Sequence, residues 1–295
     1  MKRAAFLFAA AVGLFAQSAS ATPNFTHDPP GSLVKGSGTG RVDMNVYAPD
    51  MLFPMKEGEA FANSQVWGHG GSNGPGSQCD KENFSYPWHD NYCETRDWDM
   101  PLCPSGNGHQ GQDVRSFDCK DKVHPVVAVA DGTITNVGSY SVYLTTADGT
   151  RFDYLHMANV AVKEGDHVTQ GQQVGVVSNQ FGGEQTTIHL HFNIRQNVAG
   201  VGSVYVPPYN SLINAYEYHI GLKTREVDAG PDTGPPAAPA TAAPTAQSAP
   251  LPPDPAPPPA EDDGCNVGGT ANGTSLGLLV GVAIVIAARR RRLRS

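Results

Sequence analysis

Two short stretches of the chain carry histidine and carboxylate side chains at spacings that suit a metal site. His109 and Asp113 are four residues apart, so an extended segment places both on one face, and Gly111 between them leaves space beside the backbone. His189 and His191 alternate with apolar residues in a strand-like run, so the two imidazoles share a face. Two imidazoles at this spacing form a natural half of a metal site.

Together these residues predict a zinc site of the catalytic type. Two histidines and one carboxylate suit Zn²⁺ and leave a fourth position for water. An ordinary surface pair is the alternative interpretation of His109 and Asp113, and its weight falls because both pairs occur in one chain. The residue types do not decide whether His189 or His191 is the ligand.

The elements that would position these residues are β-strands. In residues 188–195 apolar side chains fall on one face and polar ones on the other. Asp-Gly turns predict two antiparallel hairpins, 126–130 with 133–137 and 141–146 with 150–157. One helix is expected near residues 211–218. We therefore predict a mainly β, compact single domain of antiparallel sheets with a metal-site groove and at most one or two short helices.

Four sequence blocks resemble the LytM/lysostaphin-type zinc endopeptidases of peptidase family M23, which cut peptidoglycan peptides. They are His-Gln-Gly-Gln-Asp at 109–113, Tyr-Leu-His-Met at 154–157, Gly-Asp-His-Val at 165–168 with Gly-Gln at 171–172, and His-Leu-His-Phe at 189–192. Their order and spacing match the family pattern over about residues 108–195. Thr-Thr-Ile at 186–188 departs from the Ser/Thr-Gly-Pro usual there, which bears on the substrate groove rather than on the metal.

The resemblance implies a role for each residue of the site. It makes His109, Asp113 and His191 the ligands of one Zn²⁺ per chain, and His156 and His189 the catalytic pair. His189 would be the general base and His156 would stabilise the oxyanion, although the two roles could be exchanged. The implied substrate is a peptide bond in peptidoglycan stem peptides or cross-bridges, cut by a monomeric enzyme. The alternative is a non-catalytic cell-wall binding or amidase-activator protein of the same fold.

Composition and charge exclude several other classes of protein. Among 295 residues there are 33 Gly and 24 Pro, which is incompatible with a helical bundle or coiled coil. The two ends hold seven of the 20 basic residues and none of the 28 acidic ones, so the rest carries 13 basic residues and a net charge of −15. Such an acidic body is not expected to bind nucleic acid through its phosphates.

The two ends are typical of targeting segments, and they define the expected organisation. Residues 1–21 predict a secretory signal peptide that ends at Ala-Ser-Ala. Residues 22–50 form an N-terminal extension, 51–228 the M23-type domain with its core at 105–200, and 229–263 a Pro/Ala-rich linker.

The C-terminal segment, residues 264–295, resembles a myxobacterial-type sorting signal in which Cys265 is the processing point. Its short apolar run, residues 276–288, is followed by an arginine cluster. An ordinary anchor helix is the alternative. We therefore expect an exported protein of the cell envelope that meets the membrane only through this tail.

Four further cysteines and a group of aromatic residues precede or flank the candidate ligands. Export favours disulfides, and three pairings of four cysteines are possible. We expect sequential pairing, because it closes short loops: Cys79 with Cys93 and Cys103 with Cys119. The aromatic residues either pack in the core or form a groove wall; they are Trp67, Tyr86, Trp88, Tyr92 and Trp98.

Overall fold

The structure is a computed structural model that describes residues 24–225. The predicted signal peptide, the Pro/Ala-rich linker and the C-terminal sorting segment lie outside the described residues. Within residues 24–225, no helix is both long enough and apolar enough to cross a membrane.

The described residues form eleven β-strands, one α-helix and one short 3-10 helix at Lys81–Phe84. The strands are β1 Ala60–Ala62, β2 Gln112–Ser116, β3 Pro125–Val127, β4 Gly132–Val137, β5 Ser141–Thr145, β6 Arg151–Leu155, β7 Met157–Ala158, β8 His167–Val168, β9 Gln173–Phe181, β10 Glu184–Val198 and β11 Gly202–Val206, and the helix is α1 Tyr209–His219. Every strand pair is antiparallel. The mainly β, antiparallel fold predicted from the sequence is confirmed.

The sheet is organised around β10, the longest strand. The main path runs β1-β2-β10-β6-β5-β4-β8, while β11 also pairs with β10, and β9 pairs with β10, β3 and β7. Leu190, Phe192 and Ile194 of β10 are fully buried in the hydrophobic core. The alternation of apolar and polar residues predicted for this strand is therefore present. It places His189 and His191 on the face of β10 opposite to these core residues.

One predicted hairpin is present and the other is wrong. β5 and β6 pair with each other, as expected for residues 141–157. β3 pairs with β9, whereas β4 pairs with β5 and β8, so residues 126–137 form no hairpin. The chain between β3 and β4 bonds elsewhere: the Ala128 amide donates to the Gln172 carbonyl and the Val129 amide to the Tyr154 hydroxyl. These non-local bonds override the local Asp-Gly turn signal. Helix α1 extends slightly beyond the predicted range at both ends.

Residues 24–50 pack against the segment that leads to the candidate ligands. The Trp88 amide donates to the Thr26 carbonyl, the Gly31 amide to an Asp90 carboxylate oxygen at 2.8 Å, and the Thr95 amide to the Ser37 carbonyl at 2.7 Å. Trp88 itself is a core residue, since it is fully buried against α1 and its indole donates to a strand carbonyl. The N-terminal segment therefore supports residues 88–95 from outside.

The structure contains two disulfides, and the sequential pairing is wrong. Cys79 is bonded to Cys119, and Cys93 to Cys103. The loop that carries Cys79 is held against the sheet, because Arg115 of β2 donates to the Gln78 carbonyl. This contact brings Cys79 close to Cys119, which lies three residues after the end of β2, although the two cysteines are 40 residues apart in sequence. Cys93 and Cys103 close a local loop of sequence separation 10.

The first testable prediction concerns these two bridges. A loop of about 40 residues gains roughly 4 kcal/mol from a disulfide and one of about 10 residues roughly 3 kcal/mol, since each bond restricts the unfolded chain. Non-reducing peptide mapping should recover both observed pairs. The double variant Cys79→Ala/Cys119→Ala should lose at least as much unfolding free energy in urea as Cys93→Ala/Cys103→Ala. Recovery of a Cys79–Cys93 peptide would contradict the structure.

Candidate metal centre

Three buried side chains bring one donor atom each to a common point. His191 Nδ1 lies 2.9 Å from Asp113 Oδ1 and 3.0 Å from His109 Nε2, and His109 Nε2 lies 3.4 Å from Asp113 Oδ1. All three residues are at most 3% exposed. Ligand atoms around a tetrahedral zinc ion are about 3.3 Å from one another, given bonds of about 2.0–2.1 Å. The spacing of the three atoms therefore suits a single metal ion.

Backbone pairing brings two of these residues together. Asp113 of β2 is directly opposite His191 of β10, so both side chains leave the sheet on the same side. At Gly111, just before β2, the chain lies so close to β10 that any side chain would collide with Asn193 Oδ1 and the Phe192 carbonyl. Gly111 is thus required by the space that it leaves for β10, as its place between the two ligands suggested.

His109 precedes β2 and is held by backbone bonds to the disulfide loop. Its amide donates to the Glu94 carbonyl at 2.8 Å, and its carbonyl accepts from the Cys93 amide at 3.0 Å. Gly108 packs so closely on this loop that a Cβ would lie 2.8 Å from Cys93 Cα and 3.2 Å from Cys103 Sγ. The Cys93–Cys103 disulfide therefore lies directly behind the backbone that presents His109.

Hydrogen bonds on the outer side of each ring fix which nitrogen faces the centre. His109 Nδ1 donates to the Asn91 carbonyl at 3.0 Å, and His191 Nε2 donates to Asn193 Oδ1 at 2.7 Å. Asn91 also donates its amide group to Asp113 Oδ2 at 2.7 Å. In the neutral rings the inner nitrogens therefore carry lone pairs, as metal ligands must.

Two more buried histidines adjoin the three donors. His189 Nε2 lies 3.5 Å from Asp113 Oδ1 and has no hydrogen-bond partner, while its Nδ1 donates to the Thr187 carbonyl at 2.8 Å. The ring of His156 lies 4.4 Å from that of His189, and its Nδ1 donates to the Gln180 carbonyl at 2.9 Å. Both rings thus direct an unprotonated Nε2 away from the backbone when neutral.

The backbone at His156 has an unusual conformation for a residue other than glycine. Its φ is +60°, in the left-handed region, and its carbonyl accepts from both the amide and the hydroxyl of Ser178. The ring stacks on Tyr140 at 5.9 Å and meets Phe181 edge-on. This turn lets a side chain between β6 and β7 reach the histidines of β10, and strained positions of this kind often occur at functional sites.

Burial favours the neutral form of His109 and His156, whereas Asp113 remains charged. Desolvation lowers the pKa of His109 to about 4, although Asp113 beside it acts in the opposite direction. Burial, reinforced by His189 and His191, holds the pKa of His156 well below its usual range. Burial alone would raise the pKa of Asp113, but its contacts with His109 and His189 hold it well below the usual value.

The structure brings all five sequence-predicted residues together and adds residues that sequence reasoning missed. Asn193 lies two residues after His191 on the polar face of β10, so its position in the sequence could have indicated a contact with His191. Asn91 gave none, because it lies 18 residues from His109 in a loop without a motif. Glu94 is also buried near the centre, and burial raises its pKa to about 8 despite Arg96 at 3.5 Å.

The remaining histidines and aromatic residues are dispersed. His69 meets Asp80 and Glu82 in a partly exposed group of potential ligands, which differs from the buried centre. Trp98 lies 6.4 Å from the ring of His109, whereas Tyr92 is fully buried. The segment before the site therefore contains both core and rim aromatics.

The chain is similar to known proteins over the part that forms this centre. Residues 107–203, which include all five clustered residues, match the family described as Peptidase family M23. Protease LasA of Pseudomonas aeruginosa is 25% identical over 155 residues, or 48% of this chain and 35% of LasA. The chain thus spans about a third of the length of the curated relative that it matches.

Two solved structures are similar as well. A LytM protein from Ruminococcus gnavus aligns with 57% of this chain and 61% of its own at 22% identity and a TM-score of 0.37. The antimicrobial peptidase lysostaphin from Staphylococcus simulans aligns with 43% of this chain and 52% of its own at 28% identity and a TM-score of 0.31. The part of the chain that contains the buried histidine–aspartate centre is thus similar to peptidase family M23 and to LasA.

Proposed function

We propose that the protein is an exported, zinc-dependent endopeptidase that hydrolyses peptide bonds in peptidoglycan stem peptides or cross-bridges. One observation carries this proposal: two ring nitrogens with lone pairs and one carboxylate oxygen face one another within 3.4 Å in a buried site. Three acceptors so close together repel unless a cation lies among them. The similarity to peptidase family M23 and to Protease LasA supports a peptide bond as the substrate, and the sequence blocks that resemble the LytM/lysostaphin type favour peptidoglycan as its source.

The residues present fit zinc better than the other common divalent ions. His109 Nε2, Asp113 Oδ1 and His191 Nδ1 would hold one ion per chain, and imidazole with carboxylate is a ligand set of zinc hydrolases. His191 fits as a ligand better than His189, because its nitrogen lies closer to Asp113 and faces His109. When bound, zinc supplies Lewis-acid chemistry at the peptide carbonyl and acidifies the attacking water.

His189 and His156 would move the protons of the reaction. Each ring gives its Nδ1–H to a backbone carbonyl, so each neutral ring can accept a proton at Nε2. His189 is closer to Asp113, which favours it as the general base. A ring that has gained a proton can then donate a hydrogen bond to the oxyanion or to the leaving amine. The hydrogen bonds are alike in the two rings and therefore leave the roles exchangeable.

Several further features of the function are proposals that follow from the sequence. The signal peptide implies export, and the tail beyond the linker implies attachment or processing at the cell envelope near Cys265. A monomeric enzyme at the end of this linker would act on the wall around its anchor. The competing proposal is a non-catalytic wall-binding or amidase-activator protein, and the presence of all five residues in one buried cluster favours the enzyme.

Digestion of purified sacculi tests the reaction. The zinc-loaded protein should release soluble fragments with new peptide amino termini and intact glycan, as read by mass spectrometry. The metal-free protein should release none, because the chemistry depends on the ion. Binding to sacculi without release of any fragment would support the non-catalytic alternative, and new glycan reducing ends would contradict peptide hydrolysis.

Alanine variants separate the ligands from the catalytic pair. His109→Ala, Asp113→Ala and His191→Ala should each lose bound zinc together with activity. His156→Ala and His189→Ala should keep zinc and lose about 10²–10³-fold in turnover. His167 is exposed, so His167→Ala is the matched control and should change neither the bound zinc nor the turnover. Loss of metal from His189→Ala with retention in His191→Ala would reverse the assignment.

Metal removal should leave a pH-sensitive protein. In the metal-free state His109 has a pKa of about 4 when folded, below the usual value of 6.5. Between these values the unfolded chain binds a proton that the folded chain does not, so unfolding free energy falls as pH falls, by up to about 3 kcal/mol. Urea titrations in chelator between pH 7 and 4 would measure this. His109→Gln should show a shallower slope, and an equal slope would exclude His109 as its source.

A further inference from the structure

A second group of charged and aromatic side chains lies on the same face of β10 as His191. Arg195 is four residues further along this strand, and it is paired directly with Arg151 of β6 and Tyr205 of β11. Asp153 lies on the same face of β6 as Arg151, two residues further along the strand. Tyr143 of β5 is paired with Asp153, so its side chain lies on this face too. We call Arg195, Arg151, Tyr205 and Tyr143 the arginine cluster. At about 3.3 Å per residue, it lies roughly 13 Å along the strand from His191.

One of the two guanidinium groups in the arginine cluster is fully engaged. Arg151 donates to both carboxylate oxygens of Asp153, at 2.7 and 2.9 Å, and its Nη2 donates to the Tyr205 hydroxyl at 3.1 Å. Its guanidinium carbon lies 4.5 Å from the centre of the Tyr143 ring. Arg151 and Asp153 are therefore a neutral pair that two tyrosine rings hold in place.

The other guanidinium, that of the partly buried Arg195, has no carboxylate partner among residues 24–225. Arg195 forms no ion pair within residues 24–225, and its Nε is buried without a hydrogen-bond acceptor. Its Nη2 donates a long hydrogen bond of 3.5 Å to the Ser203 carbonyl, and its guanidinium carbon lies 5.7 Å from the centre of the Tyr205 ring. An anion that accepts from Arg195 would relieve both the charge and the buried donor.

The geometry points to a free carboxylate of the peptide substrate as the ligand of Arg195 in the arginine cluster. This inference rests on the proposed function and specifies the substrate: a peptide with a free carboxylate about four extended residues from the scissile bond. A planar carboxylate matches the guanidinium fork and fits beside the tyrosine rings. Because the protein body is strongly acidic, the cluster would act at short range on a ligand already held at the metal centre.

Paired peptides test this inference. Two soluble peptidoglycan-derived peptides of one sequence, one with a carboxyl terminus and the other with an amide, are compared by steady-state kinetics. For Arg195→Gln, KM of the carboxylate peptide should rise about tenfold, with little change in kcat and none in bound zinc. KM of the amide peptide should not change. Arg195→Lys should give an intermediate rise, and Lys163→Gln, which removes an exposed charge elsewhere, should behave as wild type.

Other outcomes would overturn the inference, and they are distinct from failure of the proposed function. Equal KM values for the two peptides with the wild type, or an equal rise for both with Arg195→Gln, would exclude a carboxylate site. Competition by inorganic phosphate but not by acetate would reassign the cluster to phosphate. Calorimetric titration of both peptides covers the remaining case: if neither is cut but the carboxylate form binds about tenfold tighter, the proposed reaction fails and the carboxylate site stands.

Discussion

The constraint on which the structure depends is the burial of three hydrogen-bond acceptors at one point. His109, Asp113 and His191 are buried and present lone pairs to one another, and such an arrangement is unfavourable without a cation. The fold must therefore hold these groups against their own repulsion in the metal-free chain. The antiparallel pairing of β2 with β10 contributes to this, because it fixes Asp113 opposite His191 through backbone bonds.

His109, the third of the proposed ligands, is held by segments that lie outside the sheet. His109 is bonded at both its amide and its carbonyl to residues 93–94, which the Cys93–Cys103 disulfide closes into a loop. The N-terminal segment bonds in turn to Asp90 and Thr95 on either side of Asn91. Asn91 then contacts two ligands at once, so a displacement of this loop would move His109 and Asp113 together.

The features that could be predicted from the sequence are those that depend on residues close together in the chain. Period-two alternation identified β10 and its histidine face, and the short loop between β5 and β6 made that hairpin readable. The disulfides and the partner of β3 were predicted wrongly, because both depend on contacts between segments far apart in sequence. Spacing likewise placed His109 with Asp113, yet it could not choose between His189 and His191. That choice depends on ring orientation, which Asn193 and the Thr187 carbonyl determine.

Backbone partners fix the tautomers of His189 and His156, the two rings proposed to move protons. His189 and His156 each donate Nδ1–H to a neutral backbone carbonyl rather than to a carboxylate. A carboxylate in that place would favour the protonated ring and raise its pKa, leaving no lone pair to accept a proton at neutral pH. A carbonyl fixes the tautomer without adding charge, and burial then holds the pKa of His156 low. The single negative charge among the five clustered residues is thus on Asp113, where a cation shared with His109 and His191 would neutralise it.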